Sequence, residues 1–351
     1  MNRKTVYFTA PRQAELREES LPALGADDVL VETICSAISA GTEILVYRGQ
    51  FPHINDSHAH LSGRLKYPLA FGYACVGRII ETGKGVEKSL LNKIVFGFAP
   101  HTSAFIAHPS SLILAPASSA GTPALPVEAC SFLPNMETAV NLIQDAAPIL
   151  GERVLVLGQG VVGLLVASLL KEFPLEKLVT SDCFELRRKA SLEIGVDDSF
   201  DPIVLSEKNF DVVGNKTQNK PQSGYAQNFD LTFELTGSPS ALDDAIAMTA
   251  FSGRIVIGSW YGDKRAEVDL GGAFHRSRIK LISSQVSTIA PELSGRWDKA
   301  RRFNVAWEAL RRIQPQKWIT HRFPIDKAEE AYRLLDENPH ETIQVLLEYT
   351  K

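Results

Sequence analysis

The chain has 351 residues, of which 44% are apolar and 22% charged, with a formal net charge of -4. That length is generous for one hydrophobic core and suits two domains, and the balance is that of an ordinary soluble globular protein. It excludes binding to nucleic acid by a basic surface: lysines and arginines are dispersed, and small groups such as Arg187-Arg188-Lys189 and Lys299-Ala-Arg301-Arg302 read as solvated helix faces rather than phosphate-tracking stripes.

The segment Met1-Asn-Arg-Lys-Thr-Val-Tyr-Phe8 enters a strand-like pattern without the apolar core of an export signal. Cys35, Cys75, Cys130 and Cys183 form no C-x-x-C pair, which with the missing signal leads us to expect reduced thiols in a cytoplasmic protein, most of them small core residues. From Thr5 to about Pro116 the pattern is β-rich. Apolar runs such as Val29-Leu-Val-Glu-Thr-Ile34, Val76-Gly-Arg-Ile-Ile80 and Ile94-Val-Phe-Gly-Phe98 are punctuated by glycine and proline, as in a compact, partly closed β domain. Inside it, the polar, histidine-bearing segment from Gln50 to Lys66 is either a lid or pocket loop or a mobile surface loop.

Pro126 to Leu150 reads as helical and leads into Arg153-Val-Leu-Val-Leu-Gly158-Gln-Gly160-Val-Val162-Gly163-Leu-Leu-Val-Ala-Ser-Leu-Leu170. The short branched run from Val154 to Leu157 is a buried strand, and the residues after Gly163 are good helix formers. Between them stands G-x-G-x-x-G. Its first glycine permits a tight turn, its second lets a pyrophosphate approach the backbone, and its third lets helix and strand pack closely, with free helix N–H groups facing the anion. A lone hexapeptide of this kind is weak evidence. A second apolar run, Leu178-Val-Thr-Ser181, ends in Asp182, where a dinucleotide fold places an acid for the adenosine ribose hydroxyls. The stretch is slightly short for a membrane span, is broken by glycines at its centre and is followed at once by Lys171 and Glu172, so no membrane association is expected.

Strand and helix patterns then alternate. A basic helix from Glu185 to Ile194 precedes a short strand near Ser199-Phe200; strands follow at Leu231 to Leu235, Ile255 to Ile257 and Ile279 to Ile282, with a helix from Ala241 to Ala250. Six strands alternating mainly with helices give an α/β, doubly wound parallel sheet. The polar tract from Gly214 to Asn228 is a long loop within it. Beyond the sixth strand, a helix from Ala300 to Ile313, the run Ile319-Thr-His-Arg-Phe-Pro324, a helix from Asp326 to Glu337 and a strand from Ile343 to Leu347 must cover the sheet or return to the N-terminal domain.

This order resembles the medium-chain dehydrogenase/reductase superfamily, the alcohol dehydrogenase-like proteins, over nearly the whole chain. The resemblance rests on Ala40-Gly-Thr-Glu43, the Pro68 to Gly77 block, the glycine fingerprint with Asp182, Glu234-Leu-Thr-Gly-Ser-Pro239, Val256-Ile-Gly258 and Ile319-Thr-His-Arg-Phe323. Two stretches, Ala40 to Gly49 and Phe71 to Gly77, look most like relatives near the hydroxyethyl-bacteriochlorophyllide dehydrogenases. The resemblance implies a GroES-like β-rich catalytic domain, residues 1–134 with 284–351, and a six-stranded Rossmann domain, residues 135–283. It also implies hydride transfer to or from a nicotinamide, a small-molecule substrate in the cleft between domains, and a homodimer formed along the strand around Lys280.

The departures bear on chemistry. Zinc alcohol dehydrogenases carry a cysteine where this chain has Ala40, a His-Glu pair where it has Tyr73-Ala74, and a cysteine or acid near Pro134 or Asn135. A catalytic zinc needs about three nitrogen, sulfur or carboxylate donors, so no metal is expected there. The four-cysteine structural zinc lobe is missing too, and His53, His58 and His60 read as surface histidines. Without zinc, hydrogen-bond donors must supply the proton and steady charge on oxygen. Thr42 matches the family's proton-relaying Ser or Thr. Tyr73 replaces a metal-binding histidine, so its phenol either serves as acid or fills the void. Glu43 is expected to fix the site rather than react.

The resemblance places Gly158, Gly160, Val162, Gly163, Asp182, Arg187, Thr236 and Gly258 on the cofactor path, with Ser259 and Trp260 beside the nicotinamide. Arg187 either bonds the adenosine ribose or is a solvated helix charge. Gln344 stands where some relatives carry a base that reaches the pyrophosphate, and His321 with Arg322 is expected to order the C-terminal return. A 2'-phosphate against Asp182 would be repelled by ~4 kcal/mol at ~4 Å and an effective dielectric of ~20, less with exposure, which favours NAD over NADP. Two other readings stay open: reduction of an activated C=C bond in a quinone or enone, and a non-catalytic dinucleotide-binding sensor or scaffold.

Overall fold

Val29–Ile38 is buried along nearly its whole length, as a strand with neighbours on both edges and both faces requires. It pairs antiparallel with Cys75–Thr82, with Ala104–Ala107 and with Gln344–Glu348. These belong to a seven-stranded sheet that runs from Ile319–Pro324 through Gln344–Glu348, Val29–Ile38, Cys75–Thr82 and Ile94–Gly97 to Leu112–Leu114. Val29, Val31, Ile79, Val95 and Phe105 form its core. The C-terminal strands therefore return to the N-terminal sheet. A smaller sheet joins Gln13–Ser20, Asn2–Ala10 and Leu69–Ala70.

The computed structural model describes residues 2–50, 66–117, 124–202 and 228–349, in two compact units: Met1–Pro134 with Ala306–Lys351, and Asn135–Val305. Most of the segment from Gln50 to Lys66, with His53, His58 and His60, and most of the tract from Gly214 to Asn228 lie outside the described residues. Among the described residues no helix is long and apolar enough to cross a membrane.

The second unit holds a six-stranded sheet in the order Asp198–Phe200, Lys177–Ser181, Arg153–Leu157, Phe229–Glu234, Thr249–Ile257, Lys280–Ser283, with every neighbouring pair parallel. Strand order reverses beside Arg153–Leu157, which makes the carboxyl end of that strand the topological switch point where open α/β sheets bind ligands. Leu155, Leu157, Val179, Phe229 and Ile255 pack the core against Ala245 and Ile246 of the helix Ala241–Met248.

Three expectations are corrected here. The helix read over 126–150 is two helices, Val127–Cys130 and Leu133–Ala146, and the second stops where Ala147 takes a left-handed φ of 45°. Residues 284–305, assigned to the first domain, belong to the second unit, because Ser284 donates to Asp145 at 2.6 Å and Arg302 donates to Glu137 at 2.9 Å. The group Lys299 to Arg302 is only partly a solvated face: Arg301 is exposed, but Arg302 is 0% exposed and the half-exposed Lys299 also reaches the buried Glu137. A buried arginine needs such a partner, and Glu137, set within an apolar helix stripe, was the available signal.

Candidate active site

The turn after Arg153–Leu157 requires its glycines for separate reasons. Gly158 has φ +89°, where L side chains are strained, and a Cβ there would lie 2.6 Å from the Leu235 carbonyl oxygen. At Gly163 a Cβ would lie 1.9 Å from the Gly158 carbonyl oxygen, so the helix could not pack so closely on the turn. Gly160 differs: nothing lies within 4 Å of the place its Cβ would take. It is the N-cap of the helix Val161–Leu170 and has no side-chain cap, and every residue of that helix but Val162 is buried. The result is a bare helix N-terminus with open space in front of it, the arrangement that receives a phosphate.

Asp182 follows the strand Lys177–Ser181 and spans this turn. Its Oδ2 accepts the Gln159 N–H at 2.7 Å and its Oδ1 accepts the Phe184 N–H at 2.8 Å. Each carboxylate oxygen retains a lone pair for a ribose hydroxyl. Arg187 lies 3.9 Å from Asp182 and stacks its guanidinium over the Phe184 ring, and burial lowers its pKa. It is not the solvated helix charge of the alternative reading. Gln159, unremarked in the sequence, donates its side-chain amide to the Val156 and Gly158 carbonyls.

Thr236 sits on the exposed rim after Phe229–Glu234, and its backbone N–H donates to the wholly buried Glu234 at 2.8 Å. Tyr261 donates its phenol to the same carboxylate at 2.5 Å. Lys264 and Ser259 bind the Gly237 carbonyl and N–H at 2.7 and 2.9 Å. This fixed loop backs the glycine turn through Leu235. Gly258 lacks a Cβ for a packing reason, since one there would lie 2.6 Å from Leu235 and 2.7 Å from Leu142.

In the first unit, Thr42 and Tyr73 are half-buried while Ala40 and Gly41 are exposed. The structure brings Thr42, Glu43 and Tyr73 together: the Ser39 and Thr42 side chains lie beside the Tyr73 phenol, whose pKa is pushed up to about 12 by burial and then by the Glu43 carboxylate. Glu43 is 0% exposed, so its carboxylate faces the protein interior and not a substrate. Its Oε1 accepts the Ser39 N–H at 3.0 Å; its Oε2 meets His101 Nε2 at 2.8 Å and the Tyr332 phenol at 2.6 Å. His101 and Tyr332 were missed because nothing in local spacing links positions so distant.

Of the other candidates, Gln344 is buried and donates to the Ile38 and Val345 carbonyls, so it is a structural residue of its own sheet. Arg322 pairs with Glu348 at 2.8 Å and Glu128 at 3.5 Å, which ties the C-terminal strands in place. Ala40, Tyr73, Ala74, Pro134 and Asn135 offer no thiolate, imidazole or carboxylate, and the nearby Glu43 and His101 are already bonded to each other. These residues do not fit a zinc ion.

No family model matches the chain. L-threonine 3-dehydrogenase of Pyrococcus abyssi is 25% identical over 92% of this chain and 92% of its own length. D-guloside 3-dehydrogenase of Escherichia coli K12 is 23% identical over 97% of this chain and 99% of its own. Among solved structures, an alcohol dehydrogenase, RspB, of Escherichia coli CFT073 complexed with NADH matches with a TM-score of 0.72 at 20% identity, covering 99% of each chain, which shows a shared fold.

Proposed function

We propose that this chain, which belongs to the medium-chain dehydrogenase/reductase superfamily, is an NAD-preferring oxidoreductase that interconverts a secondary alcohol and its ketone without a catalytic zinc. The observation that carries the reading is the glycine turn: a bare helix N-terminus, open space at Gly160 and an oriented Asp182 carboxylate, all at the switch point of a parallel sheet. Gly158, Gly160, Val162 and Gly163 would hold the pyrophosphate, and Asp182 with Arg187 the adenosine ribose. The bound nicotinamide supplies or accepts the hydride. The substrate class follows the relatives, whose names specify oxidation at position 3 of threonine or of a guloside.

The chain's own residues must manage the proton. In the reduction direction the Tyr73 phenol donates its O–H to the carbonyl oxygen as negative charge builds there, and Thr42 orients the phenol. Burial and Glu43 together keep Tyr73 protonated across the neutral range, so it acts as a donor and not as a resting phenolate base. The test measures NADH and NADPH binding, then turnover of a panel of polyols, amino alcohols, ketones, quinones and enones. Binding of NADH with turnover of a secondary alcohol or ketone supports the reading. Stoichiometric zinc in the purified protein, or turnover confined to quinones and enones, would replace it.

A further inference from the structure

The first unit contains a buried polar chain of which the reaction scheme above uses only Glu43. The Tyr349 phenol meets Ser36 Oγ at 2.7 Å, Ser36 Oγ meets His101 Nδ1 at 2.6 Å, His101 Nε2 meets Glu43 Oε2 at 2.8 Å, and the Tyr332 phenol donates to that same oxygen at 2.6 Å. Ser36, Glu43 and His101 are 0% exposed, as is Tyr332. With Nε2 protonated, every donor in the chain points toward Glu43: Tyr349 to Ser36, Ser36 to His101, His101 to Glu43. A carboxylate buried so completely is tolerated only because these donors and the Ser39 N–H saturate it.

The chain touches Tyr73 by two routes. Through Glu43 it pins the turn, since Oε1 holds the Ser39 N–H and the Ser39 Oγ in turn accepts the Thr42 N–H at 3.4 Å. Ser39 and Thr42 are the side chains that lie beside the Tyr73 phenol. The second route is contact with the backbone. Gly72, immediately before Tyr73, has φ +121°, and a Cβ on it would lie 2.6 Å from the His101 ring, so the imidazole is seated directly against the peptide that carries Tyr73. Tyr332 is itself fixed, stacked on Tyr47 at 5.3 Å and edge-on to Phe8 at 4.9 Å.

We propose that His101 and Tyr332 are positioning residues that act through Glu43 and Gly72 to aim the Tyr73 hydroxyl at the reacting oxygen. The consequence rests on the reading of Tyr73 as proton donor, but the aiming itself does not. Fluorotyrosine labelling separates the two, with the Tyr73 resonance assigned by its loss in Tyr73→Phe. In Tyr332→Phe and His101→Gln, which retain most of the packing, the Tyr73 fluorine line shifts or splits. NADH affinity stays within about twofold. On the substrate found in the panel, kcat falls at least tenfold with KM little changed, and His101→Gln, which can still donate to Glu43, loses less than His101→Leu. A Tyr73 line unmoved in both Tyr332→Phe and His101→Leu overturns the positioning role. A line that moves while Tyr73→Phe keeps full kcat leaves the positioning intact and removes Tyr73 as the donor.

Discussion

Each glycine of the fingerprint makes a different physical demand, and substitution tells them apart. In Gly163→Ala the added methyl would overlap the Gly158 carbonyl oxygen, 1.9 Å away, and neither backbone can yield without opening the helix from the strand. The cost belongs at the upper end of overpacking, about 3 kcal/mol, which for a unit of this size lowers Tm by roughly 6–12 °C. In Gly160→Ala the methyl enters open space. Stability then falls by no more than about 1 kcal/mol, the difference between glycine and alanine as an N-cap, while NADH affinity drops at least roughly tenfold because the methyl stands where the pyrophosphate approaches. Thermal melts without cofactor and a fluorescence titration with NADH read both; equal losses of Tm in the two variants would sink the distinction.

The same scale holds the argument for NAD. Asp182 turns one lone pair on each oxygen to a backbone N–H; under the proposed NAD preference the other would accept from ribose hydroxyls and the carboxylate would repel a 2'-phosphate. Arg187 at 3.9 Å offsets part of that repulsion, leaving a fraction of the ~4 kcal/mol Coulomb figure. Replacing Asp182 by alanine removes the repulsion and leaves the arginine, so the ratio of NADPH to NADH dissociation constants should fall by at least roughly tenfold, about 1.4 kcal/mol. An unchanged ratio in Asp182→Ala would mean that another group selects the cofactor.

At the scale of elements, the helix Leu133–Ala146 and the helix Lys299–Ile313 are joined through a buried ion pair. Arg302 donates to Glu137 from two nitrogens, at 3.1 and 2.9 Å, and also binds Asn141 and the Val286 and Thr288 carbonyls. Arg302→Met leaves Glu137 buried with only the half-exposed Lys299 as cation, and should cost about 3 kcal/mol in urea denaturation. The double variant Glu137→Met with Arg302→Met removes the stranded charge and should be more stable than Arg302→Met alone. This pair also marks the limit of what the sequence discloses. Val154 to Leu157 and Glu185 to Ile194 announce themselves by period and by flanking glycines, so the sheet and its cofactor turn are legible residue by residue. Arg302 and His101 are not, because their partners lie 165 and 58 positions away in the chain and periodicity carries no information about such pairings. Tyr73 was legible only as a replacement in a family position; its seat against the His101 ring through Gly72 came from the fold.

At the scale of the whole molecule, the Rossmann sheet leaves one long-range question in its last strand. Among the described residues Lys280–Ser283 pairs with Thr249–Ile257 on one side only, and Lys280, Leu281 and Ser283 are exposed, Leu281 at 38%. An edge with unpaired N–H and C=O groups is a template for another strand, and the lysine opposes indiscriminate addition without preventing a specific partner. Homo-oligomers favour a two-fold axis, and two copies of this edge laid antiparallel across such an axis would satisfy both rows of backbone groups and cover both Leu281 side chains. We therefore propose a homodimer built on this strand. Light scattering after size exclusion should give twice the 38.5 kDa chain mass, and Leu281→Asp, which sets two like charges near the axis, should give the single-chain mass with NADH binding retained. A wild-type protein at the single-chain mass, or a Leu281→Asp variant that stays at twice that mass, would place the contact elsewhere or remove it.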